Sequence, residues 1–136
     1  MKIPYRKKVK YKETLITLYS IGWLAYYSNK GNSTLRRWES KKVLPRPLLS
    51  LEGDSNRMYS AREILGYSHV IKSVSTGRGI KLDFNYLTQS FNNMRLRIIS
   101  HVQSDPNLYN AELPQVEEVY RYFINKKEIT PKKIKE

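Results

Sequence analysis

Arg36 and Arg37 stand side by side in the stretch NSTLRRWESKK, with Ser33 and Thr34 ahead of them and Lys41 and Lys42 behind. A guanidinium is a planar, permanently charged fork of N–H donors. It fits the O6 and N7 acceptors of guanine, or two oxygens of one phosphate. Adjacent residues on a helix point about 100° apart, so one arginine of the pair is expected to meet a base edge and the other a phosphate. Ser33, Thr34 and Lys41 would add base or phosphate contacts, and Lys30 and Lys42 would add cations on either side. The bland alternative is a solvated helix face.

A helix must present these groups, and the surrounding spacing supplies one. Thr34, Leu35 and Trp38 follow a 3.6-residue period that turns Leu35 and Trp38 inward and the cations outward. Pro45 and Pro47 cannot continue a helix, so its end is expected near Val43. Upstream, residues 14–28 are expected to supply a first helix, with Ser20 as a good N-cap and Ile21, Leu24 and Ala25 at helical spacing. Its aromatic Trp23 reads as core, and Tyr26 or Tyr27 as a surface hydroxyl within reach of phosphate. Asn29-Lys30-Gly31-Asn32 is a turn cluster whose Asn and Gly tolerate positive φ. Downstream, residues 48–52 and 57–59 form a plausible hairpin around Gly53-Asp54-Ser55-Asn56. Arg57 and Tyr59, two residues apart, would share one strand face. Ser60 and Glu63 are spaced as a capping box opening a third helix over 60–75.

These pieces together resemble the MerR family and related phage excisionases. SIGWLA (20–25), TLRRWE (34–39), VLP (43–45) and RMYS (57–60) stand in the family's order and spacing. The resemblance covers roughly residues 14–80. It implies a mainly α fold with a small β-hairpin wing, a winged helix-turn-helix, followed by C-terminal helices. It also implies that Arg36, at a position usually arginine in the family, is the safer DNA contact. Arg57 would reach the backbone beside the major groove, and the third helix would buttress the wing. The sequence departs from the pattern where Asn29 and Lys30 replace a glycine and a small apolar residue, and where Lys42 replaces a glycine after the second helix.

The composition agrees with a polyanionic partner. In 136 residues there are 25 Lys and Arg against 12 Asp and Glu, a net charge of +13. Each phosphate that such a surface neutralises releases condensed counterions. A solvated basic surface and a membrane-surface binder are the alternatives. With 40% hydrophobic residues, the chain can bury one modest core. It has no cysteine, which excludes disulfide frameworks, thiolate zinc sites and cysteine catalysis. The start, MKIPYRKKVK, has no apolar core of the kind a secretory signal carries, and no apolar run approaches membrane-spanning length. A cytoplasmic protein is expected, in the host cytoplasm if viral, with no membrane partner.

The domain organisation expected is a basic arm over 1–13, the winged helix-turn-helix over 14–80, a helical region over 81–125 and a basic tail over 126–136. In the arm, Arg6, Lys7, Lys8 and Lys10 would lie as a solvated tail, or follow a phosphate backbone or enter a minor groove. The alternation of Val9 and Tyr11 allows it to end in a short strand. Lys132 and Lys133 in the tail play the same part. Between them, Phe84, Leu87, Phe91, Met94 and Ile98 are spaced 3, 4, 3 and 4, continuing to His101 or Val102. This stripe over 82–104 would either make a homodimer or be covered by the chain's own helix over 113–124.

No catalytic constellation is visible. His69 and His101 stand far apart without clustered carboxylates, and there is no P-loop, zinc spacing or nucleophile elbow. Thr76-Gly-Arg-Gly79 lacks the Gly-Lys-Ser/Thr ending of a phosphate cradle. The sequence therefore predicts no enzyme and no cofactor. It predicts a sequence-specific double-stranded DNA-binding protein, a transcriptional regulator or excisionase-like architectural factor, related to phage or mobile elements. The alternative is an adaptor that docks on nucleic acid to recruit a larger protein assembly, in the manner of a small terminase subunit in DNA packaging.

Overall fold

The computed structural model describes residues 5–11, 14–49, 58–74, 83–105 and 113. Two strands come first, β1 (Arg6–Tyr11) and β2 (Thr14–Tyr19). Then follow α1 (Ile21–Ser28), α2 (Asn32–Ser40), β3 (Tyr59–Ser60), α3 (Ala61–Val74) and α4 (Phe84–Ser104). The described chain is thus mainly helical, with four helices and one small antiparallel sheet in the order β1-β2-β3.

The sheet differs from expectation. Residues 14–19 were expected to begin the first helix, but they form β2, and the helix starts at Ile21. The segment TLITLY is rich in β-branched residues and lies opposite β1 from Arg6↔Tyr19 to Tyr11↔Thr14, so ladder pairing and β propensity outweigh the 3,4 spacing of Leu15, Leu18 and Tyr19. The basic segment expected as an arm is therefore ordered as β1 over Arg6–Tyr11. Ser20 does stand at the N-cap of α1, but its side chain makes no capping bond. Its N–H instead donates to the Tyr5 carbonyl at 2.9 Å, which also accepts from the Trp23 indole N–H at 2.9 Å. The start of β1 is thereby pinned to the start of α1. Leu48 and Leu49 lie in bends rather than a strand, β3 pairs with Leu18 and Tyr19 of β2, and the rest of the expected wing lies outside the described residues.

The main core joins Tyr19 to the inner faces of all four helices. It includes Trp23, Leu24, Leu35, Trp38, Ile64, Tyr67, Ile71, Leu87, Phe91, Ile98, Val102 and Leu113. Trp23 is core, as its aromatic spacing suggested. A smaller cluster of Ile16, Leu18 and Met58, with Val9 and Leu49 against it, covers the other face of the sheet. β1 and β2, on either side of residue 13, are paired, and α4 shares the main core with α1, α2 and α3.

The stripe on α4 is occupied within the chain. Leu87, Phe91, Ile98 and Val102 are buried, and the Phe91 ring meets Tyr67 of α3 at 5.6 Å and Trp38 of α2 at 6.2 Å. α3 comes close because it carries Gly66: a Cβ there would stand 3.0 Å from Met94 Cγ and Sδ and 3.1 Å from Ile98 Cδ1. Phe84, which opens the stripe, is half exposed, and Tyr86 and Leu96 of the same helix are exposed as well. Of the expected covering helix over 113–124, only Leu113 is described. It is buried, and its N–H donates to the Tyr19 hydroxyl at 3.1 Å. Asp83 caps α4, accepting from the N–H groups of Asn85 and Tyr86.

Candidate nucleic-acid interface

α2 is short, so its orientation depends on how its ends are held. It is joined to α1 through Asn29, which is left-handed at φ 59° and ψ 38°. That conformation suits asparagine's short polar side chain. The N–H of Lys30 donates back to the Ala25 carbonyl at 3.2 Å, and Gly31 at φ −74° and ψ 150° is the N-cap of α2.

The far end closes with a Schellman motif. Lys42 is left-handed at φ 63°, its N–H donates to the Glu39 carbonyl at 3.1 Å, and the N–H of Val43 donates to the Trp38 carbonyl at 2.8 Å. The helix ends at Ser40 rather than near Val43. A lysine thus occupies the position where glycine would be unstrained, a cost to the backbone that a sequence departure foreshadowed.

Between these ends the two faces are sharply divided. Leu35 and Trp38 are buried, while Ser33, Arg36, Arg37, Lys41 and Lys42 are exposed and Thr34 and Lys30 are half-buried. The sequence-predicted contacts of α2 and its flanks therefore stand on or beside one outward surface. Arg37 also lies in the last turn, where the helix dipole favours a cation.

Tyr59 belongs elsewhere, and its expected role as a contact is corrected. It is fully buried. Its phenol donates to the Glu39 carboxylate of α2 and to the Pro45 carbonyl at 3.3 Å. Burial, and next the bond to Glu39, hold the hydroxyl far above its ordinary range, so it stays a donor at all physiological pH. The Glu of TLRRWE and the Tyr of RMYS, twenty residues apart in sequence, thus meet as a structural tie between α2 and β3. The alternation that put Tyr59 on a strand face was right about the strand but silent about what covered it.

A second tie went unread in the sequence. Glu63 forms the expected capping box: Oε1 accepts from the Ser60 N–H and hydroxyl, each at 3.0 Å, and Ser60 Oγ accepts from the Glu63 N–H at 3.3 Å. Its other oxygen, Oε2, accepts from the Leu48 N–H at 3.0 Å. One carboxylate therefore caps α3 and holds the segment leaving α2. Burial pushes the Glu63 carboxyl up to about 7, against the hydrogen bonds from Ser60 and Leu48 and the Arg95 cation, which pull it down. The neighbouring Tyr67 hydroxyl is buried with no hydrogen-bond partner among the described residues.

On β1, Lys8 and Lys10 are exposed, and Arg6 and Lys7 are half-buried. Arg57, Lys132 and Lys133 lie outside the described residues. His69 and His101 are exposed, and His101 Nδ1 lies 3.3 Å from an Arg62 guanidinium nitrogen. No group of three or more His, Cys, Asp or Glu able to hold a metal occurs among the described residues. No described helix is long and apolar enough to cross a membrane. Comparison with protein-family models, with curated proteins and with solved structures finds no match for this chain.

Proposed function

We propose that the chain is a sequence-specific double-stranded DNA-binding protein in which α1, the turn at 29–31 and α2 act as a helix-turn-helix and α2 enters the major groove. The observation that carries this reading is the division of α2. Leu35 and Trp38 anchor its inner face, and Arg36 and Arg37 stand exposed on the outer one beside Ser33 and Lys41. A recognition helix needs that arrangement, with its early residues free for base edges and its cations at the groove walls. The net charge of +13 supports a polyanionic partner, and the resemblance of TLRRWE, VLP and RMYS to the MerR and excisionase pattern supports the winged form. In that form Arg57 would grip the backbone from the wing. Transcriptional regulation or an architectural role in recombination is the use that fits a DNA reader of this size.

Selection from a pool of random duplexes, followed by sequencing, tests the reading. The wild-type chain is expected to enrich a motif, and Arg36→Ala or Arg37→Ala to lose discrimination at one base position, at a cost of about 1–3 kcal/mol. If both variants bind every sequence as tightly as the wild type, α2 is not the reader.

A further inference from the structure

The N-terminal cations are arranged, not merely abundant. Along β1 successive side chains alternate between the sheet's faces, so Arg6, Lys8 and Lys10 share one face and Lys7 and Val9 the other. Val9 packs with Ile16, Leu18 and Met58 in the smaller cluster, which covers its face. On the opposite face, Tyr19 sits in the main core at the base of the hairpin. Further along, Lys8 and Lys10 are exposed, as is Leu15 opposite Lys10, while Thr17 opposite Lys8 is buried. Lys8 and Lys10 are therefore carried on a paired strand whose base is pinned through Tyr5 to Ser20 and Trp23. Two residues on a strand are about 7 Å apart, close to the separation of successive phosphates along one nucleic-acid strand.

We propose that the exposed Lys8–Lys10 stretch of β1, at the edge of the sheet, is a second nucleic-acid contact, in which Lys8 and Lys10 hold successive phosphates of one strand. The inference rests on the reading of α2 as a DNA contact and adds a rigid, sequence-indifferent grip to it. A fixed pair of cations loses less side-chain and backbone freedom on binding than a flexible tail with the same charge. It contributes to every duplex alike, because phosphates carry no sequence.

The test uses the full chain and a mixed-sequence 24-base-pair duplex, with affinity measured by fluorescence anisotropy across a salt series. Lys8→Gln/Lys10→Gln is expected to flatten the slope of log affinity against log salt by about 2, since each phosphate contact contributes about 0.9. Lys8→Arg/Lys10→Arg is expected to keep the slope, and Lys72→Gln, at an exposed lysine of α3, to leave it unchanged. A slope unchanged in the Gln pair, or lowered equally by Lys72→Gln, overturns the proposal. So does self-association of the Gln pair with no change in slope, which would make these lysines guards of an edge strand. Tighter binding of the wild type to anionic phosphatidylserine vesicles than to the duplex, lost in the Gln pair, would overturn it in favour of a lipid surface. The two readings fail separately. If the Gln pair flattens the slope while Arg36→Ala/Arg37→Ala does nothing, the hairpin stands and α2 falls. The reverse result removes the hairpin alone.

Discussion

α2 and α4 meet at Trp38, whose ring lies 6.4 Å from Phe84 and 6.2 Å from Phe91, yet they make opposite use of the same device. Both place apolar residues at helical spacing and bury them. α4 runs 21 residues and buries Leu87, Phe91, Ile98 and Val102, and its exposed positions are mostly uncharged, with Phe84, Tyr86, Asn92, Asn93 and Leu96 among them and Arg97 the exposed arginine. α2 runs nine residues and buries only Leu35 and Trp38, and its exposed side carries arginines with lysines just beyond. Inward periodicity is therefore uninformative about role, because it says only that a helix is packed. The chemistry of the outward face separates a scaffold helix from a candidate reader.

The sharpest way to break this contrast is to remove their shared contact. Phe91→Ala is expected to cost about 3–5 kcal/mol, read by urea denaturation, because the ring fills the junction of α2, α3 and α4. If α4 were a detachable dimerisation arm, the loss would be small and would depend on protein concentration.

Glu63→Gln should sharpen the picture of how α2 is held. The amide supplies one acceptor where the carboxylate has two, and its NH2 must face an N–H donor, so about 1–3 kcal/mol of stability is expected to go. The pH dependence has a definite sign. The folded carboxyl titrates near 7, above its ordinary 4.5, so the native state binds the extra proton between those values. Stability from this group is then fully present below about 4.5 and is lost as pH rises through about 7. The cost of Glu63→Gln should accordingly shrink between pH 5 and pH 7.5 in paired denaturation curves. A cost that grows with pH would mean that the hydrogen bonds from Ser60 and Leu48 outweigh burial.

Substitutions on the outer face of α2 should act on binding and leave stability alone. Arg36→Ala and Arg37→Ala are expected to stay within about 0.5 kcal/mol of wild type in denaturation while weakening a selected site. A stability loss above 1 kcal/mol in either would move that arginine from interface to scaffold.

The smallest expected effect is a gain. Lys42→Gly relieves a left-handed lysine and should stabilise the fold by about 0.5–1 kcal/mol, visible as a raised thermal midpoint. Because it also removes a cation beside α2, weaker duplex binding by a more stable protein would separate fold from function at one residue.

Local chemistry decided much of this in advance. The inward and outward faces of α2, the Ser60–Glu63 box, the left-handed Asn29 and the length of α4 follow from periodicity, caps and turn residues, which depend on neighbours a few positions away. The sequence also carried the net charge of +13 on which the proposal of a polyanionic partner draws. Tertiary structure decided what no local signal contains. It made residues 14–19 a strand by supplying β1 as a partner. It buried Tyr59 by bringing Glu39 and Pro45 over its hydroxyl. It set Phe91 of the α4 stripe against Trp38 and Tyr67. Pairing and burial are set by residues distant in the chain, so a strand with a helical-looking period, or a tyrosine on an apparent surface, can be read correctly only once its partner is in place.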